Sequence, residues 1–101
     1  MIVDLTPGRP ELLEQAAELL TARMPEGWPT LADAREHLRE LLDPARIVRG
    51  YLHGRQLIGW VGGLERYAGH VWELHPLVVR VDHERRGVGR ALVEDLGARV
   101  R

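Results

Sequence analysis

Apolar positions along the chain recur at two periods, and the change of period marks out the elements. Ile2 to Leu5 alternates and reads as a short strand. Thr6-Pro7-Gly8 is a turn, and Pro10 suits the first turn of a helix, where its missing N–H does no harm. Leu12, Leu13, Ala16, Ala17, Leu19 and Leu20 then follow helical spacing, which predicts a helix to about Arg23. Met24-Pro25-Glu26-Gly27-Trp28-Pro29 breaks it, because Pro and Gly punctuate helical backbone. Thr30 is an N-cap candidate, with Asp33 near the positive end of the next helix. Leu31, Ala34, Leu38, Leu41 and Leu42 make that helix's buried stripe, and Asp43-Pro44 ends it.

Beyond Pro44 the period shortens to that of strands. Ile47 to Leu52 is a strand, and His53-Gly54 resembles the two-residue turn of a hairpin. Gln56 to Leu64 returns as a strand with Gly59, Gly62 and Gly63 embedded. Glycines there weaken a strand and mark close approach of another backbone or a ligand. Tyr67-Ala68-Gly69-His70 is the next loop. Val71 to Val81 reads as a long strand with a break or bulge at Pro76. Asp82 to Arg86 is a loop, and Gly87 to Arg101 is a helix with Leu92, Leu96 and Val100 inward. The predicted order is β-α-α-β-β-β-α, an α/β (α+β) class, read as one domain over residues 1–101. The pattern stops inside a helix without a C-cap Gly or Pro, so the domain is expected to be partial.

Composition narrows the chemistry. A chain of 101 residues is long enough for one modest core. Fourteen basic and 15 acidic residues leave a net charge of -1. That balance argues against a general nucleic-acid binder, whose surface should be strongly basic. The sequence contains no Cys, Ser, Lys, Asn or Phe. Disulfides, zinc-thiolate sites, serine triads, Schiff-base lysines and Walker-type phosphate loops are therefore excluded. Reactivity must come from Glu, Asp, His, Tyr, Thr, Arg or backbone amides. No apolar run approaches the ~18 residues of a membrane span, and Met1-Ile2-Val3-Asp4 lacks the regions of a signal peptide. A soluble cytoplasmic protein is the expectation.

The stretch that carries most chemistry is Trp72-Glu73-Leu74-His75-Pro76-Leu77-Val78-Val79 followed by Glu84-Arg85-Arg86-Gly87-Val88-Gly89-Arg90-Ala91. Gly87 and Gly89 lack a Cβ, so a phosphate could approach the backbone closely. The unpaired N–H groups of a first helical turn point at such a group, and the helix dipole favours an anion. Arg85, Arg86 and Arg90 add positive charge. The alternative is a strand-to-helix turn whose glycines only relieve sterics. A metal at His70, Glu73 and His75 would need a shared face and supporting contacts, so none is expected. Glu65, Asp82 and the helix acids read as solvated surface.

A Val-Val strand running into Arg-x-Gly-x-Gly-x-Ala-Leu resembles the acetyl-coenzyme A signature of the GNAT superfamily of N-acetyltransferases. Trp72 to Val79 is narrower and resembles the aminoglycoside 6'-N-acetyltransferases. Met24-Pro25-Glu26-Gly27-Trp28, Asp43-Pro44-Ala45-Arg46-Ile47 and Leu57-Ile58-Gly59-Trp60-Val61-Gly62-Gly63 fit the same subfamily. The resemblance implies a mostly antiparallel sheet flanked by helices. It implies that Pro76 splays the strand to leave a groove for the pantetheine arm. Backbone groups of Leu77, Val78 and Val79 would pair with that arm, the Leu77 amide would be an oxyanion donor, and amides from Arg85 through Arg86, Gly87, Val88, Gly89 and Arg90 to Ala91 would hold the pyrophosphate. Glu73 would be the general base, against the plainer reading of a strand-face carboxylate in a salt bridge. His75 could orient Glu73 or a water, or be structural. Trp28 and Tyr67 resemble aminoglycoside-contacting positions, although Trp28 could equally cap the core.

Two departures stand out. Glu84 occupies a position where the family's motif usually carries Gln or Arg, and a carboxylate near a pyrophosphate is unfavourable unless it points away or pairs with Arg85 or Arg86. Family members also continue past this helix, so the chain is expected to be a fragment of a longer product or to lack the usual C-terminal strands, in which case Val71 to Val81 would offer an open edge that pairs with another chain, as in a homodimer. The resemblance implies an acetyl-CoA-dependent N-acetyltransferase, of the antibiotic-resistance type, acting on a small polycationic amine such as an aminoglycoside, with no metal, nucleic acid or membrane partner. A non-catalytic remnant that binds coenzyme A or dimerises, and an enzyme acting on a polyamine or protein amine, are the alternatives.

Overall fold

The computed structural model describes residues 1–42, 46–66 and 71–99, with backbone alone at 64–66 and 71–75. Its elements follow the predicted order: β1 (Ile2–Asp4), α1 (Pro10–Arg23), α2 (Leu31–Leu41), β2 (Arg46–His53), β3 (Gln56–Arg66), β4 (Val71–Val79) and α3 (Val88–Arg99). The strands form one antiparallel sheet in the order β1-β2-β3-β4. Helices flank it on both faces, as expected.

The helix signals act as the sequence predicts. Pro10 sits at the start of α1. Thr30 caps α2: its Oγ1 accepts from the Asp33 amide at 3.1 Å and donates to Asp33 Oδ2 at 2.9 Å. A bidentate Arg35–Glu14 pair joins the exposed sides of α1 and α2, and the Arg35 hydrogen bond holds the Glu14 carboxyl below its ordinary range.

Each face of the sheet has its own core. Leu12, Ala16, Ala17 and Leu20 of α1 and Ala34, Leu38 and Leu41 of α2 pack on Val48, Leu57, Trp60 and Val78. The Trp60 ring is fully buried and its Nε1 donates to Ala16 O at 3.0 Å, so no polar group is stranded there. On the other face Val88, Leu92 and Leu96 of α3 cover Ile58 and Val61. Both Leu57 and Trp60 face the α1 side although three positions apart, which strict alternation forbids. The register shift opposite Tyr51 and Leu52 supplies the extra residue that reconciles them. Gly59 lets α3 approach: a Cβ there would meet Val88 Cγ1 at 3.0 Å and Val78 O at 3.1 Å.

Several boundaries differ from expectation by a residue or two, and three of them bear on the turns. The hairpin turn is Gly54-Arg55 rather than His53-Gly54, because His53 still pairs with Gln56 and Gly54 takes the left-handed position at φ 63°. β4 ends at Val79, and Val81–His83 is a single 3-10 turn instead of strand. Gly87 precedes α3 rather than opening it, since its φ of 81° is not helical. Val100, expected on the inner face of that helix, lies outside the described residues. No helix among the described residues is long and apolar enough to cross a membrane.

The fold also corrects the reading of one helix acid, Asp95, as solvated surface. Arg49 of β2 is 5% exposed and points at α3. Its Nε donates to Asp95 Oδ2 at 2.6 Å, and its Nη1 donates to Asp4 Oδ1 at 2.7 Å. Asp95 is thus a structural partner tying α3 to the sheet, and its hydrogen bond raises the Arg49 pKa further above its ordinary value. An arginine buried this deeply requires such a partner, because an unpaired buried charge is strongly destabilising.

Candidate active site

β4 sets the geometry of the site. Val61 pairs with Leu77 and Gly63 pairs with Leu74, so β4 carries one residue more than β3 between those pairs. The extra residue falls at His75-Pro76, where proline has no N–H to give the ladder. The strand therefore bulges where the sequence places its break. After the bulge, Leu77 and Val79 face α3 while Val78 joins the core on the α1 side. The strand ends with Arg80 N donating to Ile58 O at 2.8 Å.

The 3-10 turn then leads the chain through Glu84 to Gly87 into α3. This turn uses left-handed backbone twice, at Arg85 (φ 64°) and at Gly87 (φ 81°). The second explains its glycine directly, since a side chain there would strain the backbone. The first is uncommon for a residue with a Cβ and costs roughly 1–2 kcal/mol. Gly89 has no such explanation. Its φ is not positive, and a Cβ would sit 3.7 Å from Leu77 Cδ2 and Val79 Cγ2, an ordinary contact. The fold has room for a larger residue at Gly89, so packing does not account for glycine there.

Together these segments enclose a groove of about 440 Å³. Leu77, Val78 and Val79 form one wall, and Arg85, Gly87, Val88, Gly89 and Arg90 form the other. Of the residues assigned to the pyrophosphate, Arg86 and Ala91 do not line it. The Ala91 amide donates to Gly87 O at 2.9 Å, closing the first helical turn, so the turn's uncommitted amides precede it. Arg85 and Arg86 have no carboxylate partner among the described residues; Arg90 pairs with Glu94 at 3.1 Å. The groove is thus apolar along the strand and cationic at the turn, which suits a ligand with an extended arm and a phosphate end.

Three further lining residues escaped the sequence reading, Arg23, Met24 and His83, while Glu84, placed near the pyrophosphate by the sequence, lines the groove as well. Arg23 and Met24 come from the end of α1, and no local signal connects them to the glycine turn. Of the two arrangements open to Glu84, pointing away or pairing with Arg85 or Arg86, the pairing is not formed; its Oε1 accepts a hydrogen bond from Arg23 Nη2. Asp82 is exposed, as expected of solvated surface, and is held by Arg80 at 3.2 Å and by His83 at 3.1 Å. The Arg80 hydrogen bond is the main reason its pKa falls to about 2. A neighbouring hollow of about 420 Å³ shares Arg23 but has no glycine turn. Its Gln15 is committed at both ends, to Arg55 O and the Leu57 amide.

The residues expected to serve as base and acceptor contacts lie apart from this groove or outside the described residues. Glu73 lies in β4 opposite Leu64, before the bulge; its side chain lies outside the described residues, as do those of Trp72 and His75. Tyr67 and His70 lie outside them entirely. Trp28 packs against the α1–α2 core with its ring 4.7 Å from that of His37, and Thr21 Oγ1 donates to its carbonyl at 2.6 Å. It does not line the groove described above. Among the described residues no cluster of His, Asp or Glu is arranged to hold a metal.

Comparison with known proteins bears on the same elements. A search of curated proteins finds no match. Among solved structures, an aminoglycoside 6'-N-acetyltransferase complexed with coenzyme A is 30% identical, with a TM-score of 0.92 over 99% of this chain and 54% of its own. The aminoglycoside 6'-N-acetyltransferase from Enterococcus faecium is also 30% identical, with a TM-score of 0.90 over the same shares. The ribosomal-protein-S18-alanine N-acetyltransferase from Escherichia coli, at 16% identity and a TM-score of 0.79 over 99% of this chain and 58% of its own, shares the fold. The chain thus spans little more than half the length of these relatives. The profile of the acetyltransferase (GNAT) family matches residues 13–100. That match runs from α1 through the β4 bulge and the glycine turn to the end of α3, and the chain belongs to the acetyltransferase (GNAT) family.

Proposed function

We propose that this chain binds acetyl-CoA in the groove beside β4 and serves an N-acetyltransferase whose acceptor is a primary amine of a small polycationic molecule, an aminoglycoside in the first instance. The observation that carries the reading is Gly89, a glycine that packing does not require, at the point where the first turn of α3 faces Leu77 and Val79. Coenzyme A in a structural relative, and the aminoglycoside named for that relative, support the choice of ligands.

The residues present fit such a ligand. Leu77 to Val79 would lie along the pantetheine arm, and the amides from Arg85 to Arg90 would receive the pyrophosphate. Bound acetyl-CoA would supply the acyl group as an activated thioester. Glu73 would take a proton from the acceptor ammonium, directly or through a water, so that its nitrogen can form a bond to the acyl carbon as the C–S bond breaks. The Leu77 amide would stabilise negative charge on the acyl oxygen, a contribution of ~3–4 kcal/mol for one such donor. Trp28 and Tyr67 are the proposed acceptor contacts, since aromatic faces suit sugars and amines. A homodimer in the cytoplasm completes the proposal.

The test is a thiol-release assay on the chain with acetyl-CoA and an aminoglycoside panel, beside Glu73→Ala. Turnover lost in the variant is the expected result. Turnover unaffected by Glu73→Ala removes that residue from the reaction. Coenzyme A binding without turnover replaces the proposal with a cofactor-binding module, and turnover with polyamines or a protein amine alone changes the acceptor class.

A further inference from the structure

One cation in the groove does not come from the glycine turn. Arg23 ends α1, lines the groove, and donates from Nη2 to Oε1 of Glu84, 61 residues away in sequence. Both side chains remain accessible, at 35% and 44%. Glu84 shares the groove with Arg85, Gly87 and Gly89, so its carboxylate opposes the anion that these groups are built to receive. The charge that offsets it belongs to α1 and not to the adjacent arginines. An exposed ion pair of this kind contributes little to stability. A diphosphate carries more charge and more acceptor oxygens than a carboxylate, and a guanidinium can engage it through two parallel N–H donors.

We propose that Arg23 is a phosphate-binding residue of the groove, held ready by Glu84 in the free protein and transferred to the ligand's diphosphate on binding. The inference deepens the acetyl-CoA reading above and rests on it. No bond is made or broken; a guanidinium exchanges one anionic partner for another. Glu84 is then a competitor for the cation, and its negative charge sets how tightly the diphosphate is held.

This arrangement differs measurably from a bridge that merely braces α1 against the turn. Arg23→Gln and Glu84→Gln break the same ion pair, so a bracing role predicts changes of ligand affinity in the same direction. Transfer to phosphate predicts opposite directions. Arg23→Gln should weaken coenzyme A binding about tenfold, the loss of one charge-assisted contact. Glu84→Gln should tighten it, because the competing carboxylate is gone. Pantetheine, which has no diphosphate, should bind all three proteins alike.

The experiment is calorimetric titration of the unaltered chain and both variants with coenzyme A and with pantetheine, after thermal unfolding has established that each is folded. Opposite shifts for coenzyme A and none for pantetheine are expected. Shifts in the same direction, no shift for Arg23→Gln, or equal shifts for pantetheine overturn the role of Arg23 and leave the cofactor reading standing. An unaltered chain that binds no coenzyme A overturns that reading, and the role of Arg23 with it.

Discussion

Replacing Gly89 by alanine sets folding and ligand binding against each other. Gly89 stands in the first turn of α3 with no positive φ, and the new methyl would rest 3.7 Å from Leu77 Cδ2 and from Val79 Cγ2. Nothing in that geometry resists a side chain. Alanine exceeds glycine in helix propensity by up to ~1 kcal/mol in a helix interior, and by less in a first turn. A gain of about 0.5 kcal/mol raises the Tm of a domain this size by roughly 2–4 °C. The methyl also projects toward Leu77 and Val79, which line the groove. It would hold a phosphate away from the amides of the turn. Losing a hydrogen bond to a charged group costs about 1.5–3 kcal/mol, or roughly 10- to 100-fold in affinity. Thermal unfolding and coenzyme A calorimetry on the same preparation read both quantities. A more stable variant with unchanged affinity refutes the phosphate turn and restores the reading in which the glycines only relieve sterics. Gly87→Ala is the control: at φ 81° an added side chain strains the backbone, so that variant should lose about 1–2 kcal/mol of stability.

Asp95→Ala leaves Arg49 nearly buried with Asp4 as its remaining partner. Because Asp95 is itself 23% exposed, the expected loss is about 2 kcal/mol, below that of a fully buried pair, read by urea unfolding; a loss under about 0.5 kcal/mol, the size of an ordinary surface change, would mean that the cluster does not hold α3. Asp82→Asn tests the Arg80–Asp82–His83 contacts through pH. The Asp82 pKa is depressed from 3.8 to about 2, so its stabilising contribution is present above 3.8 and disappears as pH falls through about 2. The unaltered protein should be the more stable of the two near neutrality, with the difference shrinking across that window in acid unfolding curves, and a difference that persists unchanged below it would contradict the assignment.

Local chemistry made much of the fold legible. Helical spacing, Pro10, and the Thr30 cap located α1 and α2 because those signals act within one turn of backbone. Pro76 marked the β4 bulge because proline cannot donate to a ladder, whatever surrounds it. The glycine turn was visible for the same reason: positive φ and close approach are properties of single residues. Its offsets were small and instructive. Gly54 and Gly87 occupy left-handed positions that push the hairpin turn and the start of α3 one residue along from the sequence estimate.

Pairings between distant residues were decided by tertiary structure alone. Arg49, Asp4 and Asp95 carry no local mark that separates them from solvated charges, yet β1, β2 and α3 bring them together and make Asp95 structural. Glu84 was marked as a misfit by its position, but its partner is Arg23 because α1 happens to end beside the turn. The packing of the Trp28 ring 4.7 Å from that of His37 is likewise a tertiary contact with no local mark. Sequence by itself determined the elements, their order and the place where a phosphate could meet backbone, since each depends on a few adjacent residues. Which charges face that place, and with what partners, depends on how the helices pack across the sheet, and only the folded chain decides it.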